Sequence, residues 1–76
     1  MSEYFTGSIS NGAFYEGLGT VPSHANVRTL LGALRWLRPK GRDGKAIRGK
    51  ILEKTNNILV LDLDDCRTVV VRRRFT

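Results

Sequence analysis

Residues Lys45 to Thr55, KAIRGKILEKT, can be read in two ways, and the architecture of the chain turns on the choice. As a helix, Asp43 would cap it and Ile47, Ile51 and Leu52 would form a short apolar stripe. Gly49 in the middle then costs about 1 kcal/mol relative to Ala. As a strand, Ile47, Gly49, Ile51 and Glu53 alternate with Arg48, Lys50, Leu52 and Lys54, and Asn56-Asn57 supplies a turn into Ile58. The strand reading is preferred. Asn-Asn is a turn pair, and a glycine costs less at a bulge than inside a short helix.

Downstream, Ile58 to Leu63 and Cys66 to Phe75 read as two further strands joined at Asp64-Asp65. Opposing Asp62 to Arg67, Val60 to Val69 and Ile58 to Val71 gives one charge pair and two apolar pairs in a common register. The result is a meander over 46–54, 58–63 and 66–74. Both faces of Ile58 to Leu63 are apolar, which predicts a central strand covered on both sides or one wall of a barrel. The meander is similar in pattern to the strands of small SH3-like and OB-type barrels, many of which bind RNA or DNA on an open sheet face. The helical alternative gives a winged-helix arrangement, with 45–55 as recognition helix and 58–75 as wing. In that alternative Gly41-Arg42-Asp43-Gly44, with Ile47 three residues on, resembles the GxxG loop of K-homology domains over residues 41–71, which implies a backbone clamp on a single nucleic-acid strand.

Upstream, Asn11-Gly12 lies between two runs and favours a two-residue hairpin turn. That register opposes Ser10 to Ala13, Ile9 to Phe14 and Phe5 to Leu18, with Tyr4, Ser8, Ser10, Ala13 and Tyr15 on the other face. Thr20 to Ser23 breaks the pattern. From His24 to Arg38 the residues Val27, Leu30, Leu31, Leu34 and Leu37 recur at helical spacing, with Ser23 as N-cap and Pro39 as stop. Trp36 falls nearly opposite that stripe, among small residues, where the N-terminal hairpin, a partner or a stacked base would meet it. Residues 1–76 thus read as one α+β domain: an N-terminal β-hairpin, one central amphipathic helix and a C-terminal antiparallel meander forming a strongly bent sheet or small barrel.

Charge narrows the function. The 76 residues carry 13 Lys and Arg against 7 Asp and Glu, a net +6, and the chain is 41% hydrophobic and 26% charged. A chain of this length has room for one thin core, so a homodimer is compatible with it. One cysteine and one histidine exclude an internal disulfide and a four-ligand zinc site. No run suggests a membrane span or a secretory signal, so the expected compartment is a reducing cytoplasm. Residues 1–27 sum to −2, residues 28–54 to +7 and residues 55–76 to +1. Such a block forms a solvated face or a polyanion-binding face.

Catalytic chemistry has no foothold. Gly41 to Lys45 contains G-x-x-G-K but lacks the spacing, the following Ser or Thr and the preceding strand of a phosphate loop. His24 has no nucleophile in a recognisable arrangement with it, and Asp62, Asp64 and Asp65 read as turn and pairing residues rather than cation ligands. Cys66 reads as a small core residue at a strand start. The sequence therefore predicts a non-enzymatic module without cofactor or metal. Arg28, Arg35, Arg38, Lys40, Arg42, Lys45, Arg48, Lys50, Arg72 and Arg74 are the candidate phosphate contacts, in a backbone-dominated mode. Arg72, Arg73 and Arg74 alternate faces, so at least one of them belongs at the rim of the side that Val69 and Val71 bury. The rival expectation is an adaptor or inhibitor, of the kind that phages and plasmids encode. It would dock on an acidic protein surface through Trp36, Tyr4, Tyr15 and the arginines.

Overall fold

The computed structural model of the protein describes residues 3–11, 14–38, 49–63 and 66–75. Five strands, β1 (Glu3–Ser10), β2 (Tyr15–Val21), β3 (Gly49–Lys54), β4 (Ile58–Leu63) and β5 (Thr68–Phe75), form one antiparallel sheet in the order β2-β1-β5-β4-β3. One helix, α1 (Leu30–Leu37), packs on one side of it. The sheet is bent but does not close into a barrel, and β2 and β3 are its edges. The strand reading of the ambiguous segment holds over Gly49–Lys54, which removes the recognition helix that a winged-helix or K-homology arrangement needs there. The GxxG stretch lies outside the described residues.

Alternation along the strands builds the core. Phe5 and Ile9 of β1, Val69 and Val71 of β5, and Leu59, Leu61 and Leu63 of β4 are all buried on the helix side. Removing a Val, Leu or Phe side chain of this kind from water contributes about 1.5–3 kcal/mol. Across the sheet Leu59 faces Val71 and Leu61 faces Val69. This is one residue off the register that apolar pairing alone predicts. The reason is the turn: Leu63 N–H donates to the Arg67 carbonyl at 2.8 Å, Cys66 N–H donates to the Leu63 carbonyl at 3.1 Å, and Cys66 sits at φ 69°. A loop of three residues ending in a left-handed residue takes up one more position than a two-residue turn. Asp62 is thereby opposite Thr68, and Val60 and Ile58 move to the other side of the sheet. Cys66 is exposed at the turn, not a core residue.

The N-terminal hairpin also differs from the expected register, which opposed Ser10 to Ala13. Ser10 pairs with Tyr15, Ile9 with Glu16 and Phe5 with Val21, and a bulge at Leu18 shifts the register between Gly7 and Ser8. Asn11 N–H donates to the Phe14 carbonyl at 3.1 Å, which sets Phe14 opposite Asn11 rather than Ile9, 47% exposed. The strand extends to Val21 because Val21 completes the core beside Phe5 and is wholly buried. Leu18 still packs against the core, because the bulge turns it back to the helix side.

The helix is shorter than its periodicity implies. Residues Ser23–Ala25 make a 3-10 turn carrying an exposed His24, and Asn26 at φ 59° interrupts the chain before the helix. Thr29 rather than Ser23 is the N-cap, its Oγ1 accepting from Gly32 N–H at 2.9 Å. The helix ends at Leu37, where Arg38 at φ 50° donates its N–H to the Leu34 carbonyl. Leu30, Ala33, Leu34 and Leu37 face the sheet, and Leu31, about 100° around the wheel from Leu30, is exposed instead of joining the stripe. Over β1 the helix comes so close that a Cβ at Gly7 would meet Leu37 Cδ1 at 2.6 Å.

Two backbone positions give direct tests. A Cβ at Gly49 would meet the Asp62 carbonyl oxygen at 2.6 Å and Leu63 Cδ2 at 2.9 Å, whereas one at Gly17 would meet nothing within 4 Å. Gly49→Ala should destabilise the fold by about 1–3 kcal/mol in urea unfolding, and Gly17→Ala should be neutral or mildly stabilising. Cys66→Gly relieves a left-handed non-glycine residue and should raise stability by up to about 1 kcal/mol. A fall in the denaturation midpoint on Cys66→Gly would contradict the turn geometry.

Candidate functional site

The helix side of the sheet is filled by the core; the opposite side carries no described element. Its centre is made of small residues, Thr6, Ser8 and Ser10 of β1 with Thr68 and Val70 of β5 and Val60 of β4, all half-buried by one another. Strand pairing sets these residues in rows. Thr20, Thr6, Arg72 and Ile58 form one row, and Tyr4 with Arg74 forms the next toward the chain ends. Arg72 and Arg74 are exposed, and about 7 Å of strand separates them. The two acids of this face, Asp62 and Glu53, lie in other rows, Asp62 opposite Lys50 and Glu53 opposite Val60. The described residues thus contain one uncompensated basic end of the open face, with a tyrosine in it.

Arg73 belongs to the other side, as strand alternation requires. Its guanidinium carbon stands 5.4 Å from the centroid of the Phe5 ring. Its Nη1 contacts Glu3 Oε2 at 3.4 Å and its Nη2 donates to the Arg28 carbonyl at 3.3 Å. Its Nε is buried without a hydrogen-bond partner among the described residues. This arginine ties the end of β5 to the start of β1 and to the segment before α1. It is a structural group at the rim of the core, and its cation–π contact adds to the burial of Phe5.

The remaining candidates are dispersed. Tyr15 is exposed and shares the open face, but it lies at the far end, about 20 Å along β1 from Tyr4. Lys50 is on that face too, opposite Asp62 in the neighbouring strand. Trp36, 47% exposed, sits on the outer flank of α1 with Arg35 and Arg38 near it in the helix and its cap, and Arg28 precedes the helix. These four lie on the helix layer, on the opposite side of the molecule from Arg72 and Arg74. Trp36 is not among the residues packed against the core, and about half of it stays exposed. Lys40, Arg42, Lys45 and Arg48 lie outside the described residues.

Thr6, Thr20 and Ile58, which flank Arg72, carry no signal of this role in the sequence. Thr6 and Thr20 reach Arg72 only through β1 pairing with β5, which no local pattern announces, and Ile58 reaches it through the register that the Leu63–Arg67 turn sets between β4 and β5. Among the described residues no cluster of His, Cys, Asp or Glu has metal-binding geometry, and no helix is long and apolar enough to cross a membrane. No family model matches the chain, and it shows no similarity to a curated protein or a solved structure, so the geometry alone carries the functional argument.

Proposed function

We infer that the protein is a small non-enzymatic nucleic-acid-binding module that holds a single strand of RNA or DNA on the open face of its sheet. The observation that carries this reading is the placement of Tyr4 opposite Arg74 and one row from Arg72 on a face with no described element over it. Arg72 and Arg74 supply phosphate contacts, and Tyr4 offers a ring on which any base can stack. Thr6 and Thr20 add hydroxyl donors without bulk, so a strand can approach the sheet closely. Nothing on the face forms a forked array aimed at one base edge, which fits backbone-dominated binding with modest sequence preference. Lys40, Arg42, Lys45 and Arg48 add to the net positive charge that attracts a polyanion. A reducing cytoplasm remains the expected compartment, in which the exposed Cys66 stays a thiol.

A second reading has its own observation. Trp36 with Arg35 and Arg38 presents an exposed aromatic beside two cations on the helix layer, which suits docking on an acidic protein surface. The two surfaces lie on opposite sides, so substitutions separate them. Binding of short single-stranded RNA and DNA to the full chain, followed against salt, should weaken steadily as salt rises. Arg72→Ala with Arg74→Ala should flatten the logarithmic salt dependence by roughly 1.4 units, at about 0.7 per phosphate on single strands. Tyr4→Ala should weaken binding by about 1–3 kcal/mol without changing that slope. Trp36→Ala should leave both unchanged. Absence of binding at low salt, or binding that salt does not alter, overturns the proposal. Loss of capture of an acidic partner on Trp36→Ala alone, insensitive to nuclease, would support the second reading.

A further inference from the structure

Strand β3 is the outer edge of the sheet beyond β4, and all six of its residues, Gly49–Lys54, are exposed. Ile51 and Leu52 are 48% and 58% exposed in the middle of it. An edge strand carrying two neighbouring large apolar residues, with no proline, is a template for another strand. Its charges decide which strand fits.

We propose that a second copy of this chain pairs with β3, antiparallel, about a two-fold axis between Ile51 and Leu52, joining two five-stranded sheets into one. In that register Lys50 of one copy faces Glu53 of the other, twice by symmetry, and each Ile51 meets the other copy's Leu52. Shifting the axis onto Leu52 sets Lys50 against Lys54, and shifting it onto Ile51 sets Lys50 against Leu52; both remove the Lys50–Glu53 pairs. The neighbouring registers are thus less favourable, and the self-complementary one remains. Glu53 fits this role because its partner within its own sheet is the apolar Val60, and it has no ion pair among the described residues. The bulge between Ile51 and Glu53 falls on the two-fold axis and is therefore shared equally by both copies. The inference does not depend on nucleic-acid binding, since β4 lies between β3 and the strand that carries Arg72 and Arg74.

Sedimentation equilibrium of the full chain over a range of concentrations tests it. The unmodified protein should show a reversible monomer–dimer equilibrium. Lys50→Glu and Glu53→Lys each convert two attractive cross-strand pairs into two repulsive ones, and each should weaken self-association by roughly tenfold or more. An equimolar mixture of the two variants should associate as the unmodified protein does. In the mixed pair, positions 50 and 53 are both acidic in one copy and both basic in the other, so each cross-strand pair is again attractive. Circular dichroism confirms that each variant is folded. If Lys50→Glu is not, because an acid at position 50 would face Asp62 in its own sheet, then Glu53→Lys against the unmodified chain decides the question. A monomeric unmodified protein at every soluble concentration, undiminished association of Glu53→Lys, or failure of two folded variants to associate on mixing overturns the proposal.

Discussion

The ladder between β1 and β5 holds the two halves of the chain together. Eight residue pairs, from Glu3 opposite Phe75 to Ser10 opposite Thr68, join the first strand to the last. Without it the N-terminal hairpin is a two-stranded ribbon, marginal by itself, and the C-terminal meander lacks Phe5 and Ile9 beside its own apolar face. With it Phe5, Ile9, Val69 and Val71 lie side by side, and α1 has a continuous apolar floor to cover. The ladder spans nearly the whole sequence, so its closure entropy must be met before its contacts form, which makes this a slow-folding topology for its size. Arg73 secures the end of the ladder by reaching over Phe5 to Glu3 and to the Arg28 carbonyl.

Central placement of β5 also determines what the molecule shows to its surroundings. A strand with neighbours on both edges presents its residues to two faces, and here one face is the core and the other is open. The run Arg72-Arg73-Arg74 is therefore split: one arginine supports the fold and two stand beside Tyr4 on the open side. The basic character of the chain is accordingly not a single patch. Arg35 and Arg38 lie on the helix layer, Arg72 and Arg74 on the opposite side, and Lys50 near the sheet edge opposite Asp62. Net charge alone merges surfaces that the fold keeps apart.

Turn chemistry is the finer control. At Asn56-Asn57 the Thr55 N–H donates to the Ile58 carbonyl at 2.9 Å, and Thr55 Oγ1 accepts from Asn57 and Ile58 N–H, so a two-residue turn sets β3 against β4. Between Leu63 and Arg67 the left-handed Cys66 adds one position. That single residue decides that Leu59 and Leu61, not Ile58 and Val60, enter the core, because a slip of one exchanges the two faces of a strand. Cysteine is a rare occupant of such a site, and nothing in its residue type signals the conformation.

Most elements were legible in the residues themselves: a hairpin around Asn11-Gly12, one helix stopping before Pro39, three C-terminal strands with a turn at Asn56-Asn57, and at least one arginine of three at the rim of the core. These are local properties, set by turn pairs and by alternation with periods of two and 3.6 residues. The helical period likewise sets Trp36 off the apolar stripe, and it is about half exposed there. What remained has two origins. The order of strands comes from pairing between segments distant in the chain, whereas the register of β5 and the late start of α1 come from the left-handed Cys66 and Asn26 and from the Thr29 cap, conformations that residue type does not signal. The gathering of Tyr4 with Arg72 and Arg74 has the first origin, since residues some seventy positions apart become neighbours only when the two ends of the chain pair.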